Sequence, residues 1–153
     1  MGRFVNPDNS AFQVALNSKI YMDKTGLLEY TNSVLDTPEA YICNSRPRRF
    51  GKSYTANMLA AYYSKGCDSE KMFDGLTIGK SSDFKKHLNK YDVIHIDVHW
   101  FLSSCADIKS IISYITQSVF EELKEYYPEV LPNEVLTLAD ALSRIRNSTG
   151  QKF

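Results

Sequence analysis

The sequence has few of the features that mark disulfide-stabilised, zinc-binding or membrane proteins. It contains three cysteines, Cys43, Cys67 and Cys105, which are odd in number, far apart and without a C-x-x-C pair. This usage argues against a disulfide framework or a zinc knuckle and predicts reduced thiols. The N-terminus has no apolar signal core, and no later run approaches the length of a membrane span. We therefore predict a cytoplasmic protein that does not enter a membrane.

Charge of one sign is not in excess either, because 18 basic residues balance 18 acidic ones. A neutral chain offers no general attraction for nucleic acid or membrane surfaces, so an anion site must come from local clustering. One cluster is present: Arg46, Arg48, Arg49 and Lys52 lie close together, and no acidic residue interrupts them. The 153 residues, 43% of them hydrophobic, suffice for one globular domain with a core.

The order of periodic and apolar segments predicts an α/β fold. Helices are predicted over residues 11–17, 23–34, 51–64, 84–89, 107–126 and 136–147, and strands over 19–22, 40–43 and 92–100. Strands that alternate with helices form a mostly parallel sheet with helices on both faces. Because the chain ends after a predicted helix, where a further strand should begin, we expect this sheet to be incomplete.

The segment from Ser45 to Ser53, S-R-P-R-R-F-G-K-S, is typical of a phosphate-binding loop between a strand and a helix. Gly51 lets the backbone approach phosphate oxygens because it has no Cβ. Lys52 supplies a compact positive charge for the β- and γ-phosphates, and Ser53 supplies a hydroxyl for magnesium. The free N–H groups and the dipole of the following helix complete an anion site. The predicted sheet is therefore of the P-loop NTPase type.

The loop departs from the general pattern G-x-x-x-x-G-K-[ST] at its first glycine, where this sequence has Arg46. Pro47, with its fixed φ, can form a different turn at this point. Two other interpretations stay open on these residues alone. The G-K-S tripeptide can occur by chance in a solvated basic loop, or the loop can belong to a nucleic-acid-binding module that contacts backbone phosphates.

Two stretches of the sequence resemble a known family. Y-M-D-K-T at Tyr21–Thr25 and the Arg-rich loop at Arg46–Ser53 are similar to the bacterial predicted AAA-ATPase-like family, in which arginine takes the place of the first glycine. The resemblance implies that residues 1–153 are the N-terminal part of a P-loop ATPase domain, with residues 1–18 as an N-terminal extension. It implies ATP and Mg²⁺ as cofactors, with magnesium at Ser53. The residues implied to bind the cofactor are Arg48, Arg49, Phe50, Gly51, Lys52, Ser53 and Tyr54.

The resemblance also bears on hydrolysis and on partners. Family members carry an acidic I-D-E-x-D type motif after the helix that here ends near Asn147, and often a C-terminal nuclease-like domain of the PD-(D/E)xK type; neither occurs in this sequence. Such acids hold magnesium and position the attacking water, so we expect nucleotide binding without efficient hydrolysis and assign no catalytic residue. A homo-oligomer, and nucleic acid bound through a C-terminal region, stay open as partners.

Two further groups of polar residues are candidates for a role. His95, Asp97 and His99 alternate along a predicted strand, but residues two apart on a strand are about 7 Å apart, which is too far for one metal ion. Asp97 alone is either a magnesium ligand or a polar strand end, and the second interpretation is favoured. Asp23 and Lys24 either contact the nucleotide or a neighbouring subunit, or cap the following helix.

Overall fold

A computed structural model describes residues 2–103 and 107–153. The chain divides into two compact units, one of Pro7–Tyr91 and one of Met1–Asn6 with Asp92–Phe153. Cys43 is a free, exposed thiol and Cys67 is a free, half-buried one, whereas Cys105 lies outside the described residues. Within the described ranges, every helix is too short or too polar to span a membrane.

The unit of Pro7–Tyr91 is built from short helices around one core. Its helices are α1 (Ser10–Leu16), α2 (Gly26–Val34), α3 (Lys52–Tyr63), α4 (Glu70–Phe73) and α5 (Phe84–His87), with 3₁₀ turns at Pro38–Ala40 and Thr77–Lys80. Met58 and Tyr62 of α3 are buried in the same cluster as Phe12 of α1 and Leu28 of α2. Each such side chain stabilises the fold by about 1.5–3 kcal/mol when fully buried. The core therefore fixes the C-terminal half of α3 and leaves its first turn at the surface.

The second unit is built around two longer helices. Its helices are α6 (Val98–Leu102), α7 (Ile108–Tyr126) and α8 (Leu138–Thr149). Apolar residues of α7 and α8, among them Phe120, Leu123 and Ile145, are buried in one cluster. The carboxylate of Glu122 on α7 accepts hydrogen bonds from the backbone N–H groups of residues 3–5, each at 2.9 Å. These bonds tie the beginning of the described chain to this unit.

The predicted α/β fold, with a mostly parallel sheet of the P-loop NTPase type, is wrong for the described structure. Across residues 2–103 and 107–153, β-pairing is limited to two isolated bridges, an antiparallel one between Val5 and Ile94 and a parallel one between Ser64 and Tyr91. Most of the described regular structure is helical instead. A strand is stable only when neighbouring chain pairs with its backbone and covers its apolar side chains.

Two of the predicted strands, 19–22 and 40–43, lack that burial. Ile20 is 90% exposed and Tyr41 is 95% exposed, so one apolar residue of each predicted strand is in contact with solvent rather than covered by neighbouring chain. Short apolar runs are ambiguous in sequence because their secondary structure depends on what packs against them. Residues 19–22 and 41–43 are irregular in the structure, and the predicted sheet does not form around them.

The third predicted strand, 92–100, is interrupted by a helix cap. The carboxylate of Asp97 accepts a hydrogen bond from the His99 N–H at 2.9 Å and begins α6. Aspartate at an N-cap satisfies a donor that the first helical turn would otherwise leave free.

The predicted helices are confirmed: α1, α2, α3, α5, α7 and α8 all begin and end within three residues of the predicted positions.

Candidate functional site

The loop that precedes α3 contains two residues in the left-handed conformation. Arg49 has a φ of 67° and Gly51 has a φ of 77°, and Gly51 is the N-cap residue of α3. Glycine adopts this conformation without a steric penalty, whereas a residue with a Cβ is strained by about 1–2 kcal/mol. Strain of this kind persists only where surrounding contacts hold the backbone. The geometry at Arg49 thus indicates that other contacts determine the shape of the loop.

The first turn of α3 presents backbone donors beside cationic side chains. The first hydrogen bond of the helix runs from the Thr55 N–H to the Gly51 carbonyl at 2.9 Å. The N–H groups of residues 52–54 therefore come before the first hydrogen bond of the helix. Of the described side chains, none caps this end of the helix, and the first turn contains no acidic residue. The free donors and the positive end of the helix dipole therefore favour an anion here.

Lys52 is folded back over the loop. Its Nζ donates hydrogen bonds to the backbone carbonyls of Arg46, at 2.6 Å, and of Pro47, at 3.1 Å. Arg46, which occupies the position of the missing first glycine, thus contributes its carbonyl oxygen to the hydrogen bond with Lys52 that closes the loop. A loop closed in this way holds the ammonium group close to its own backbone, and an incoming anion meets a positive charge that is already in place.

The Y-M-D-K-T stretch lies against the same loop. Lys24 Nζ donates a hydrogen bond to the backbone carbonyl of Phe50 at 2.8 Å. Asp23 accepts hydrogen bonds from the N–H (2.8 Å) and the hydroxyl (2.7 Å) of Thr25, and from the same two groups of Thr77 at the same distances. Asp23 therefore anchors the stretch to the 3₁₀ turn that contains Thr77, while Lys24 contacts the loop.

The ionisation of Asp23 is consistent with this anchoring role. Partial burial would raise the pKa of its carboxyl, but the hydrogen bonds from Thr25 and Thr77 outweigh burial and lower the pKa from 3.8 to about 2. The carboxylate is therefore charged at neutral pH. It is not the N-cap of α2, which is Thr25, and it binds the N–H of that residue rather than a donor within the helix.

A basic depression of about 590 Å³ lies at the N-terminus of α3. Its lining consists of Arg48, Arg49, Gly51, Lys52, Ser53 and Tyr54. Six of the seven residues predicted to bind a cofactor therefore line one surface. Ser53 supplies an uncharged hydroxyl to it, and the remaining predicted residue, Phe50, is exposed beside it. The predicted binding set is thus spatially coherent, as expected for consecutive residues around a helix start.

A second concave surface, which sequence reasoning missed, is also lined by Gly51. This cavity of about 300 Å³ is lined mainly by apolar side chains; they include Phe12 and Met58 from the core and Ile20, Met22 and Phe50 from exposed segments. Part of this lining has a sequence signal, because Tyr21, Met22 and Lys24 belong to the Y-M-D-K-T stretch and Arg49, Phe50, Gly51 and Tyr54 belong to the predicted binding set. Phe12 and Met58 are ordinary core positions, and nothing in the sequence distinguishes them.

The remaining polar candidates lie in the other unit. Among the residues that the structure describes, there is no group of three His, Cys, Asp or Glu side chains placed to hold a metal ion. Asp97 is engaged as the cap of α6. Burial lowers the pKa of His95, which favours its neutral form at neutral pH. The structure thus gives no support to a metal site at His95, Asp97 and His99.

Comparison with known proteins identifies a family for this sequence. A family model described as predicted AAA-ATPase matches residues 10–153, which is most of the chain. No curated protein and no solved structure matches the sequence.

Proposed function

This chain belongs to the predicted AAA-ATPase family, and from that membership we propose that it binds ATP, with the triphosphate in the basic depression at the N-terminus of α3. The observation that supports this placement is the lining itself, in which Arg48, Arg49 and Lys52 surround the free donors of α3. The sequence from residue 44 to 57 contains no acidic residue that would oppose an anion. At 4 Å, one pair of opposite charges gains about 1 kcal/mol in water and about 4 kcal/mol at a protein surface.

Each lining residue has a distinct part in the proposed complex. Lys52 exchanges its bonds to the carbonyls of Arg46 and Pro47 for phosphate oxygens, since an ammonium group binds a charged acceptor more strongly than a neutral one. The guanidinium groups of Arg48 and Arg49 suit bidentate contacts to phosphate. The depression therefore matches the charge of a triphosphate.

The same surface fits magnesium that is held mainly by the nucleotide. Ser53 is the uncharged hydroxyl at the start of α3, and it can supply one oxygen ligand. Mg²⁺ in phosphate sites keeps several waters and takes few protein ligands, so the absence of a described carboxylate cluster does not conflict with this role. Bound magnesium would neutralise part of the phosphate charge, and the hydroxyl of Ser53 would orient the magnesium ion.

The test is a calorimetric measurement of ATP affinity, in the presence of magnesium, for the wild type and two lysine variants. Lys52→Ala removes the ammonium from the loop, and a charge-assisted hydrogen bond of about 1.5–3 kcal/mol corresponds to about a 10- to 100-fold weaker affinity. Lys71→Ala, on the exposed surface of α4, changes the net charge equally and should leave the affinity unchanged. Equal affinities for wild type and Lys52→Ala would refute the proposal.

A competition experiment separates nucleotide binding from the use of the same loop by nucleic acid. Unlabelled ATP should displace a fluorescent ATP analogue at low concentration and with a weak dependence on salt. If DNA displaces the analogue more effectively than ATP does, and its affinity falls steeply with salt concentration, the loop contacts a nucleic-acid backbone instead.

A further inference from the structure

We infer that the apolar cavity beside Gly51 is the subsite for the base of the bound nucleotide, and that it accepts a purine. The inference rests on the proposed function, because it assumes that the triphosphate occupies the basic depression. It extends the candidate binding surface beyond the phosphate loop, to residues of α1, of the Y-M-D-K-T stretch and of the core-facing side of α3.

The cavity has a buried apolar floor and an exposed apolar rim. Phe12 and Met58 are each 1% exposed, and Phe12 packs against the rings of Tyr21 and Phe73 at centroid distances of 6.2 and 5.0 Å. At the rim, Met22 is 74% exposed. Flat aromatic ligands bind well between such surfaces, because apolar and aromatic side chains stack on the faces of a base.

The cavity and the basic depression adjoin each other. Arg49, Gly51 and Tyr54 line both of them, so a ligand that enters one surface adjoins the other. The cavity lining contains two positively charged residues, Arg49 and Lys24. Lys24 lies beside Gly51, since a Cβ added to Gly51 would be 2.9 Å from Lys24 Nζ. The site thus passes from cationic at Gly51 to apolar beyond it, which is the polarity of a nucleotide read from phosphate to base.

The size of the cavity limits its occupant. Sites for whole small molecules enclose about 300–1,000 Å³, and this cavity, at about 300 Å³, is at the lower end of that range. It has room for a base, and the phosphates of the same nucleotide are left for the larger depression. A purine covers more of the apolar lining than a pyrimidine does and therefore gains more from stacking.

The rim also exposes apolar surface that a ligand would cover. Ile20, Met22, Phe50 and Tyr54 are all large, all exposed and all part of the lining. A cluster of exposed apolar side chains around a cavity marks a binding surface more often than scattered apolar residues do. A base seated in this cavity removes part of that surface from water, which favours binding.

The experiment compares three ligands by calorimetry in the presence of magnesium: ATP, UTP and inorganic tripolyphosphate. The wild type should bind ATP at least about 10-fold more tightly than tripolyphosphate, and UTP should fall between the two. In the double variant Ile20→Ala/Met22→Ala, the advantage of ATP over tripolyphosphate should fall by about 5- to 10-fold, because apolar contact area with the base is lost. Both residues are exposed, so the thermal unfolding midpoint should not change.

Val14→Ala provides the matched control. Val14 is an exposed apolar residue of α1 that does not line the cavity, and its replacement should leave all three affinities unchanged.

Binding of tripolyphosphate as tight as that of ATP, or an unchanged ATP advantage in the double variant, would overturn the base subsite while leaving the phosphate site intact. UTP binding as tight as ATP would overturn the purine preference. Failure of both ATP and tripolyphosphate to bind would overturn the proposed function and this inference together.

Discussion

The carboxylate of Asp23 offers a quantitative test of how the Y-M-D-K-T stretch is held in place. It accepts four hydrogen bonds, two from Thr25 and two from Thr77. The substitution Asp23→Asn keeps one carbonyl acceptor and replaces the other oxygen with an NH₂ group. That group would face an N–H or hydroxyl donor, so at least part of the anchoring is lost.

The size of the effect follows from the ionisation of this group. Burial alone would raise the pKa of Asp23, but the hydrogen bonds lower it from 3.8 to about 2. This difference corresponds to about 2.4 kcal/mol if fully expressed. Asp23 is exposed, so solvent screens the interaction, and we expect about 1–1.5 kcal/mol. Because the folded-state pKa is depressed, this stabilisation is complete above about pH 4 to 5 and is lost as the pH falls towards 2.

The assay is urea unfolding of the wild type and of Asp23→Asn at pH values from 7 to 3. The free energy of unfolding should differ by about 1–1.5 kcal/mol at pH 7, and the difference should shrink as the pH approaches the folded-state pKa. Asp68→Asn is the control, since Asp68 is an exposed aspartate whose replacement should change stability by less than about 0.5 kcal/mol. A difference that is constant with pH, or a carboxyl of Asp23 that titrates near 3.8 by NMR, would refute the reasoning.

Two further predictions concern the contacts of the loop. Lys24→Met should weaken ATP binding by about 3- to 10-fold by calorimetry, because the carbonyl of Phe50 loses its charged donor; Lys71→Met is the matched control, and unchanged affinity would contradict this role. Gly51→Ala should destabilise the protein by about 1–2 kcal/mol in urea unfolding, because Gly51 has a φ of 77° and an added Cβ would also displace Lys24 Nζ. A Gly51→Ala variant as stable as the wild type would mean that the left-handed turn is not required.

The helices and the position of the basic loop before α3 could be predicted because their signals are local. Gly51 ends the loop and α3 follows at once, so neighbouring residues alone specify where the basic side chains cluster. The cap of α6 was equally local, and the alternation of apolar residues around Asp97 misled the prediction only because the cap competes with a strand. Interactions within three or four residues are therefore readable from the sequence.

The lack of a sheet in the described residues, and the second half of the candidate site, could not be predicted because both depend on residues that are distant in sequence. Tyr41 belongs to an apolar run that suggests a strand, yet the described structure leaves it exposed without a paired neighbour. Lys24 and Phe50 are 26 residues apart, and Asp23 and Thr77 are 54 apart, so their contacts follow from the packing of the whole unit. The assignment of residues 1–18 as an extension, and the binding roles of the loop residues, stay predictions.

The two halves of the candidate site differ in what holds them, and this difference determines how a ligand would act on each. The cavity floor is part of the core, since Phe12 and Met58 are almost fully buried, so it is formed before a ligand arrives. The phosphate side is held by the bonds of Lys52 and Lys24 to loop carbonyls, which are exposed. In the proposed complex a phosphate group replaces the bonds of Lys52 to loop carbonyls, whereas a base only displaces water from a preformed surface. Ligand binding should therefore rearrange the loop and leave the helices of this unit unchanged.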